Sequence, residues 1–197
     1  MNSDAKSVLV LVFVAFAQCG LALTCAGLTE AAEQDPTLQA LESFPRHETD
    51  ASEDETKHFQ RLRDIAAAIN LATEDTTERA ALAVLAKRES GLAAYVYEDR
   101  CSDGPRKQYE CDRGRARGVW QLHANRDNPE ISGDVYDQAK IAVKLWRGHR
   151  YRCAGSSQDQ LAGAFAGYAT GKACSWGGAA SRASETRRVA AKLWRRK

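Results

Sequence analysis

The chain has 197 residues, 44% hydrophobic and 27% charged, with a formal net charge of +2. That length suits one globular domain with some extra chain and excludes two full domains. The near-neutral total hides a split: residues 28–78 carry 13 acidic against 4 basic side chains, and residues 79–197 carry 23 basic against 12 acidic.

An apolar run, "SVLVLVFVAFAQCGLALTCAGL", spans Ser7 to Leu28. It reads as a secretory leader over residues 1–27, with a cut near Ala26–Gly27. Its length is close to the ~20 residues a helix needs to cross a bilayer, so residues 7–28 are a membrane anchor if the leader is retained. Cys19 and Cys25 read as small apolar fillers of this segment. Either reading exports the remainder to a periplasmic or extracellular site. Residues 28–55 follow, acidic, with Pro36 and Pro45 and weak periodicity. They are expected to be a flexible linker, dispensable to about Ser52.

The pattern then turns helical, and residues 56–197 are expected to form a single domain. "SEDE" (Ser52–Glu55) is a capping box before a stripe of Phe59, Leu62, Ile65, Ala66 and Ile69. "DTTE" (Asp75–Glu78) caps a second helix, with Ala81, Leu82, Leu85 and Ala86 on one face and Gly91 as its stop. Glu89 lies one turn beyond Leu85, on the same face, which points it inward or into a cleft. Residues 95–117 are polar and irregular, with a "SDGP" turn, and suit a hairpin or ordered loop. Three more helices follow. One carries Val135, Ala139, Ala142, Val143 and Trp146. The next opens on Ser157 and Gln160 and ends at Gly171. The last places Val189 and Leu193 four apart. Strand signals are few, so the fold class is mainly α.

Cys101, Cys111, Cys153 and Cys174 form an even set, which in an oxidising compartment reads as two disulfides with three pairings open. They show no C-x-x-C spacing and no His at ligand spacing, so no metal site is expected. The expected pairs are Cys101–Cys111, closing the polar loop, and Cys153–Cys174, tying a helix end to the loop after Tyr168.

Three short pieces bear on chemistry: "ESG" (Glu89–Gly91), "GVWQLH" (Gly118–His123) and "FAGYATG" (Phe165–Gly171). In their order and intervals they resemble the lytic transglycosylase signature of the lysozyme-like superfamily, over roughly Phe59 to Trp194. "RESGL" and "GVWQL" match well. "AGYATG" keeps Tyr168, with Thr170 out of pattern, and the interval from Glu89 to Gly118 is longer than compact members need. The resemblance implies a lysozyme-like catalytic domain. It would cleave the β-1,4 bond between N-acetylmuramic acid and N-acetylglucosamine, with Glu89 as the one catalytic acid and then base. It further implies that Ser90, Gln121 and Tyr168 contact substrate, and that no cofactor is needed.

Residue chemistry agrees with that implication. Glycosidic cleavage needs a proton for the leaving oxygen, and a carboxyl at the end of an Ala/Leu helix is placed to hold one. Ser90 is placed to hydrogen-bond and orient it. A hydrolase would need a second carboxylate, for which Glu98, Asp99 and Asp103 are available. A lysozyme-type muramidase is therefore the alternative enzyme, and a peptidoglycan-binding module without turnover is the alternative of another class. Trp120 and Trp176 are able to stack on sugars or to fill the core. The basic C-terminal region suits anionic wall polymers. Export and the lack of a binding motif argue against nucleic acid. A monomer acting on peptidoglycan glycan strands is expected.

Overall fold

The computed structural model describes residues 35–101, 104, 111–124, 130–156 and 159–194. The expected leader and anchor, residues 1–28, lie outside the described residues. So do residues 29–34, Asp103, Ser157 and most of the "SDGP" turn. The main helices of the described chain are α1 (Pro36–Glu42), α2 (Glu55–Ala72), α3 (Thr76–Ser90), α4 (Ala94–Tyr97), α5 (Val135–Cys153), α6 (Gln160–Thr170) and α7 (Ala179–Trp194), with a left-handed turn at Cys111–Gly114. Two-residue strands β1 (Ala116–Arg117) and β2 (Leu122–His123) pair antiparallel, with Ala116 opposite His123. The described part is thus mainly helical, as the patterning predicts.

Aspartates start four of the helices. Asp54, Asp75, Asp134 and Asp159 each accept a hydrogen bond from a first-turn backbone N–H of α2, α3, α5 and α6. Such a side chain satisfies a donor that has no intrahelical partner. The cap of α6 is therefore Asp159, two residues beyond the expected Ser157. Gly91 and Gly171 end α3 and α6 in the left-handed region, at φ 63° and 75°, a conformation glycine adopts without a Cβ penalty.

Helix α3 lies at the centre of the packing. Every residue from Ala80 to Ala86 is buried, so it is covered on all sides instead of along one stripe. Its neighbours are α1, α2, α5 and α7. The expected inward positions of α5 and α7 are all buried: Val135, Ala139, Ala142, Val143, Trp146, Val189 and Leu193. The α2 stripe is buried except for Phe59, which is exposed. Arg61 is buried on this helix instead.

That arginine overturns the expectation of a flexible linker for residues 36–55, while 28–34 of the expected linker lie outside the described residues. From Pro36 onward the segment is folded onto the domain. Thr37, Ala40 and Leu41 of α1 are buried, and Leu41 belongs to the main core. A 3-10 turn follows at Glu48–Asp50. Arg61 Nη2 donates to Asp50 Oδ2 at 2.9 Å and to Glu53 Oε2 at 2.9 Å, and its Nε donates to the Leu92 carbonyl at 3.1 Å. The Ala94 N–H donates to the same Asp50 oxygen at 3.0 Å. The acidic residues therefore serve as internal partners of a buried cation. The domain begins no later than Pro36.

Both expected disulfides are present, Cys101–Cys111 and Cys153–Cys174, with Cα–Cα separations of 5.8 and 5.3 Å. They fit an exported protein. No helix among the described residues is long and apolar enough to cross a membrane. Non-reducing peptide mapping should recover these two links, and reduction should cost roughly 3 kcal/mol of stability per loop of this size. Four free thiols or a crossed pairing would refute the arrangement.

Acid should loosen the fold at identifiable places. Burial opposes ionisation of Glu78, but hydrogen bonds from Arg147 and Thr73 outweigh it and hold the carboxyl below its usual range. Glu185 is lowered in the same way: burial is outweighed by Lys87 and Arg88, and for Glu53 it is outweighed chiefly by Arg61. Lowered carboxyls stabilise fully above the unfolded value of ~4.3 and lose that contribution as pH falls through the folded value. His58 is held low by burial and then by Arg61 and Arg46, so protonating it below its ordinary ~6.5 also costs stability. The thermal midpoint should decline gently from about pH 6.5 and steeply below about pH 4, the windows set by these ordinary values. A midpoint flat to pH 3 would show that these pairs contribute nothing.

Candidate active site at the end of the central helix

Glu89 is the penultimate residue of α3, and its side chain is 21% exposed. Position and chemistry conflict here: cations suit the last turn of a helix and an anion does not. Lys87 and Arg88 occupy that turn favourably and both reach across to Glu185 of α7, at 2.9 Å from Nζ and 2.7 Å from Nε. Glu89 is compensated from the same helix. Arg182, one turn before Glu185 on α7, forms an ion pair with its carboxylate. The guanidinium also lies 4.8 Å from the centroid of the Trp176 ring.

The end of α3 is fixed from behind. Gly91 sits against the His47 ring, so closely that a Cβ there would lie 2.4 Å from His47 Cδ2. The Ser90 hydroxyl donates to the Ala86 carbonyl at 2.7 Å and accepts from the Leu92 N–H at 3.1 Å. Ser90 is buried and its hydroxyl is committed to the backbone. It shapes the helix end, and the expected role of orienting the Glu89 carboxylate is not what its bonds show.

Of the other two pieces of the sequence signature, the Gly118–His123 piece meets α3, and the two pieces meet each other. Trp120 is fully buried and its Nε1 donates to the Leu82 carbonyl of α3 at 3.0 Å. The Tyr168 hydroxyl, from α6, donates to the Trp120 carbonyl at 2.9 Å. Tyr168 also feels the Glu89 charge: its phenol is pushed up, first by burial and then by the Glu89 carboxylate, with Arg182 opposing. Glu89, Arg182 and Tyr168 therefore share one electrostatic neighbourhood, which Tyr168 links to the Gly118–Leu122 turn.

That turn is conformationally costly. Gly118 has φ 63°, and a Cβ there would fall 1.7 Å from Gln138 Oε1. Gln121, a non-glycine residue, has φ 48°, a region of about 1–2 kcal/mol penalty. Its Nε2 donates to the Gly118 carbonyl at 3.0 Å and to Cys111 Sγ at 3.6 Å. Cys111, Asp112, Arg113 and Gly114 are left-handed in succession. Strain thus gathers around Gln121, in a segment anchored by the Cys101–Cys111 disulfide. Such clustering is typical of functional loops.

Of the residues considered for a second carboxylate, Glu98 is bound by Arg100 and Asp99 by Arg117, both at the surface. His123 is exposed, 3.8 Å from Asp112. A cleft of about 720 Å³ beside the hairpin is lined by Arg115, Arg117, His123, Glu130 and Ile131. Glu89 does not line it. Among the described residues no group of three or more His, Cys, Asp or Glu is placed to hold a metal ion.

Sequence reasoning missed Arg182 and left Trp176 out of the site. Arg182 stands 93 positions from Glu89 in a short polar run, "SRASE", with nothing local to mark it. The signal available was the spacing from Arg182 to Glu185, which puts opposite charges on one face of a helix. No family model matches the chain, and no curated protein or solved structure matches it either.

Proposed function

We propose that the protein is a lysozyme-like lytic transglycosylase acting on peptidoglycan, with Glu89 as its catalytic acid and base. The observation that carries this reading is the convergence of the three signature pieces. Glu89 and Tyr168 come from separate helices and interact electrostatically, and Tyr168 holds the Gly118–Leu122 turn, whose Trp120 bonds to the middle of the buried helix that carries Glu89 near its end. In the proposed reaction the Glu89 carboxyl protonates the glycosidic oxygen as the C1–O bond breaks. The resulting carboxylate then takes the proton of the muramic 6-hydroxyl as that oxygen bonds to C1. The product is a 1,6-anhydro sugar, and no water is consumed. Tyr168 holds the Trp120 carbonyl and with it the turn that bears Gln121, whose amide donates to the Gly118 carbonyl and would contact an N-acetyl group on leaving it. Glu98 and Asp99 are engaged elsewhere, which favours a one-carboxylate mechanism over a muramidase. Export is consistent with both disulfides.

The Arg182–Glu89 ion pair favours a second reading, a wall-binding module without turnover, because it closes the acid in the resting state. Mass spectrometry of muropeptides released in heavy-oxygen water separates the three. Unlabelled 1,6-anhydro ends support the transglycosylase. Labelled reducing ends indicate a hydrolase. Binding without release indicates the module.

A further inference from the structure

The contacts of Arg182 carry a step beyond cleavage itself. Its side chain is only 12% exposed and rests between two partners, the Glu89 carboxylate and the Trp176 ring. The backbone beneath it is fixed. Glu185, one turn on, already ties α7 to Lys87 and Arg88 of α3, and Thr186 Oγ1 donates to the Arg182 carbonyl at 2.9 Å. A second tie between these helices is not needed to join them. Trp176 belongs to the short connection between α6 and α7 that Cys174 anchors to Cys153. Gly178 lets the ring lie flat over the start of α7, because a Cβ there would come within 2.2 Å of it. The ring remains 42% exposed. The guanidinium can therefore turn on a stable stacking partner while exchanging its anion.

Resting on the reading above, we propose that Arg182 is a specificity-determining residue that recognises a carboxylate borne on the glycan. With the site empty the guanidinium sits on Glu89. When a carboxylate-bearing strand enters, the guanidinium moves to that carboxylate, remains stacked on Trp176, and leaves Glu89 free to take part in proton transfer. The other charged and titratable groups near Glu89 are Tyr168 of α6 and, on its own helix, Lys87 and Arg88, both committed to Glu185. A neutral glycan offers no anion in exchange, so opening the pair would strand a half-buried cation. Discrimination by an unpaired buried charge is a general device. The glycan's carboxylate has two sources, the lactyl ether on the muramic sugar and the stem peptide.

The test uses the full chain and four soluble probes: glycan chains with stem peptides, chains stripped to the free lactyl carboxylate, chains with their carboxyls amidated, and neutral chitooligosaccharides. Binding is followed in the cold by tryptophan fluorescence, and cleavage is scored separately. The native protein should bind carboxylate-bearing chains about tenfold or more tighter than amidated ones, the size of one charge-assisted hydrogen bond. Arg182→Gln should abolish the difference, and Arg182→Lys should keep part of it. Equal binding of peptide-bearing and stripped chains assigns the lactyl group, and a preference for the former assigns the peptide. No preference in the native protein, which needs no variant to detect, overturns the inference. So does a preference that survives Arg182→Gln. An Arg182-dependent preference without cleavage of any probe would sink the catalytic reading and leave this one standing, whereas cleavage without preference would do the reverse.

Discussion

Glu89→Gln should lower turnover on peptidoglycan by at least the ~10²–10⁴-fold associated with a positioned acid–base group. Gln keeps the shape of the side chain and removes its ability to donate and recover a proton. The Arg182 ion pair is lost with the charge, but α3 and α7 stay joined through Glu185, Lys87 and Arg88. The thermal midpoint should fall, because Gln leaves a largely buried guanidinium without its anion, but the fold and wall binding should persist. Muropeptide release, scored beside a thermal melt and a pelleting assay with insoluble wall, checks all three. Near-native release by this variant would remove Glu89 from the chemistry. A collapsed midpoint would show that its charge serves the fold first.

A chain beginning at Ser52 should fail to fold cooperatively, because the acidic segment is part of the domain. Removing α1 uncovers the core face that Leu41 fills, and losing a buried Leu side chain alone typically costs about 2–5 kcal/mol. Removing Asp50 takes from buried Arg61 one of its two carboxylate partners, and breaking a buried pair from one side costs about 3–5 kcal/mol. Together these approach the whole stability of an ordinary domain, about 5–15 kcal/mol. Activity should go too, since His47 packs on Gly91 and Asp50 holds the Ala94 N–H, both just beyond Glu89. Circular dichroism on heating decides the matter. A native-like transition in the shortened chain would reduce α1 to an ornament.

Local rules written in the sequence carried most of the helices. Aspartate caps, glycine stops and the inward stripes of α5 and α7 depend on residues within a few positions of one another, and both disulfides followed from loop size and turn chemistry. The errors share a physical cause. Leu41 and Ala40 look stranded in an acidic run because their partners, on α2, α3 and α7, lie far along the chain. Phe59 fits the α2 stripe by period and is exposed. Arg61 looks like a surface charge and is buried, since Asp50 and Glu53 receive it. Within the site, Glu89, Gln121 and Tyr168 were marked by short motifs, whereas Arg182 entered only through tertiary contact. Ser90 gives its hydroxyl to the Ala86 carbonyl and not to the Glu89 carboxylate. Motif spacing says which side chains are near, but the helix backbone competed for its hydroxyl and won.

The position of α1 has a consequence for how the molecule is made. It packs on α2 and α3, its near neighbours in sequence, and also on α7, the last described helix. Glu89 likewise meets its cation only when Arg182 arrives. A chain emerging from its amino end, at a ribosome or through a membrane pore, has nearly every helix available before the element that seals them. Until then α3, an alanine-rich helix built to be covered on every side, has one flank bare. Such a precursor is sticky, and closure of long-range contacts is slow. Closure of the core and formation of the Glu89–Arg182 pair are thus completed by the same late event.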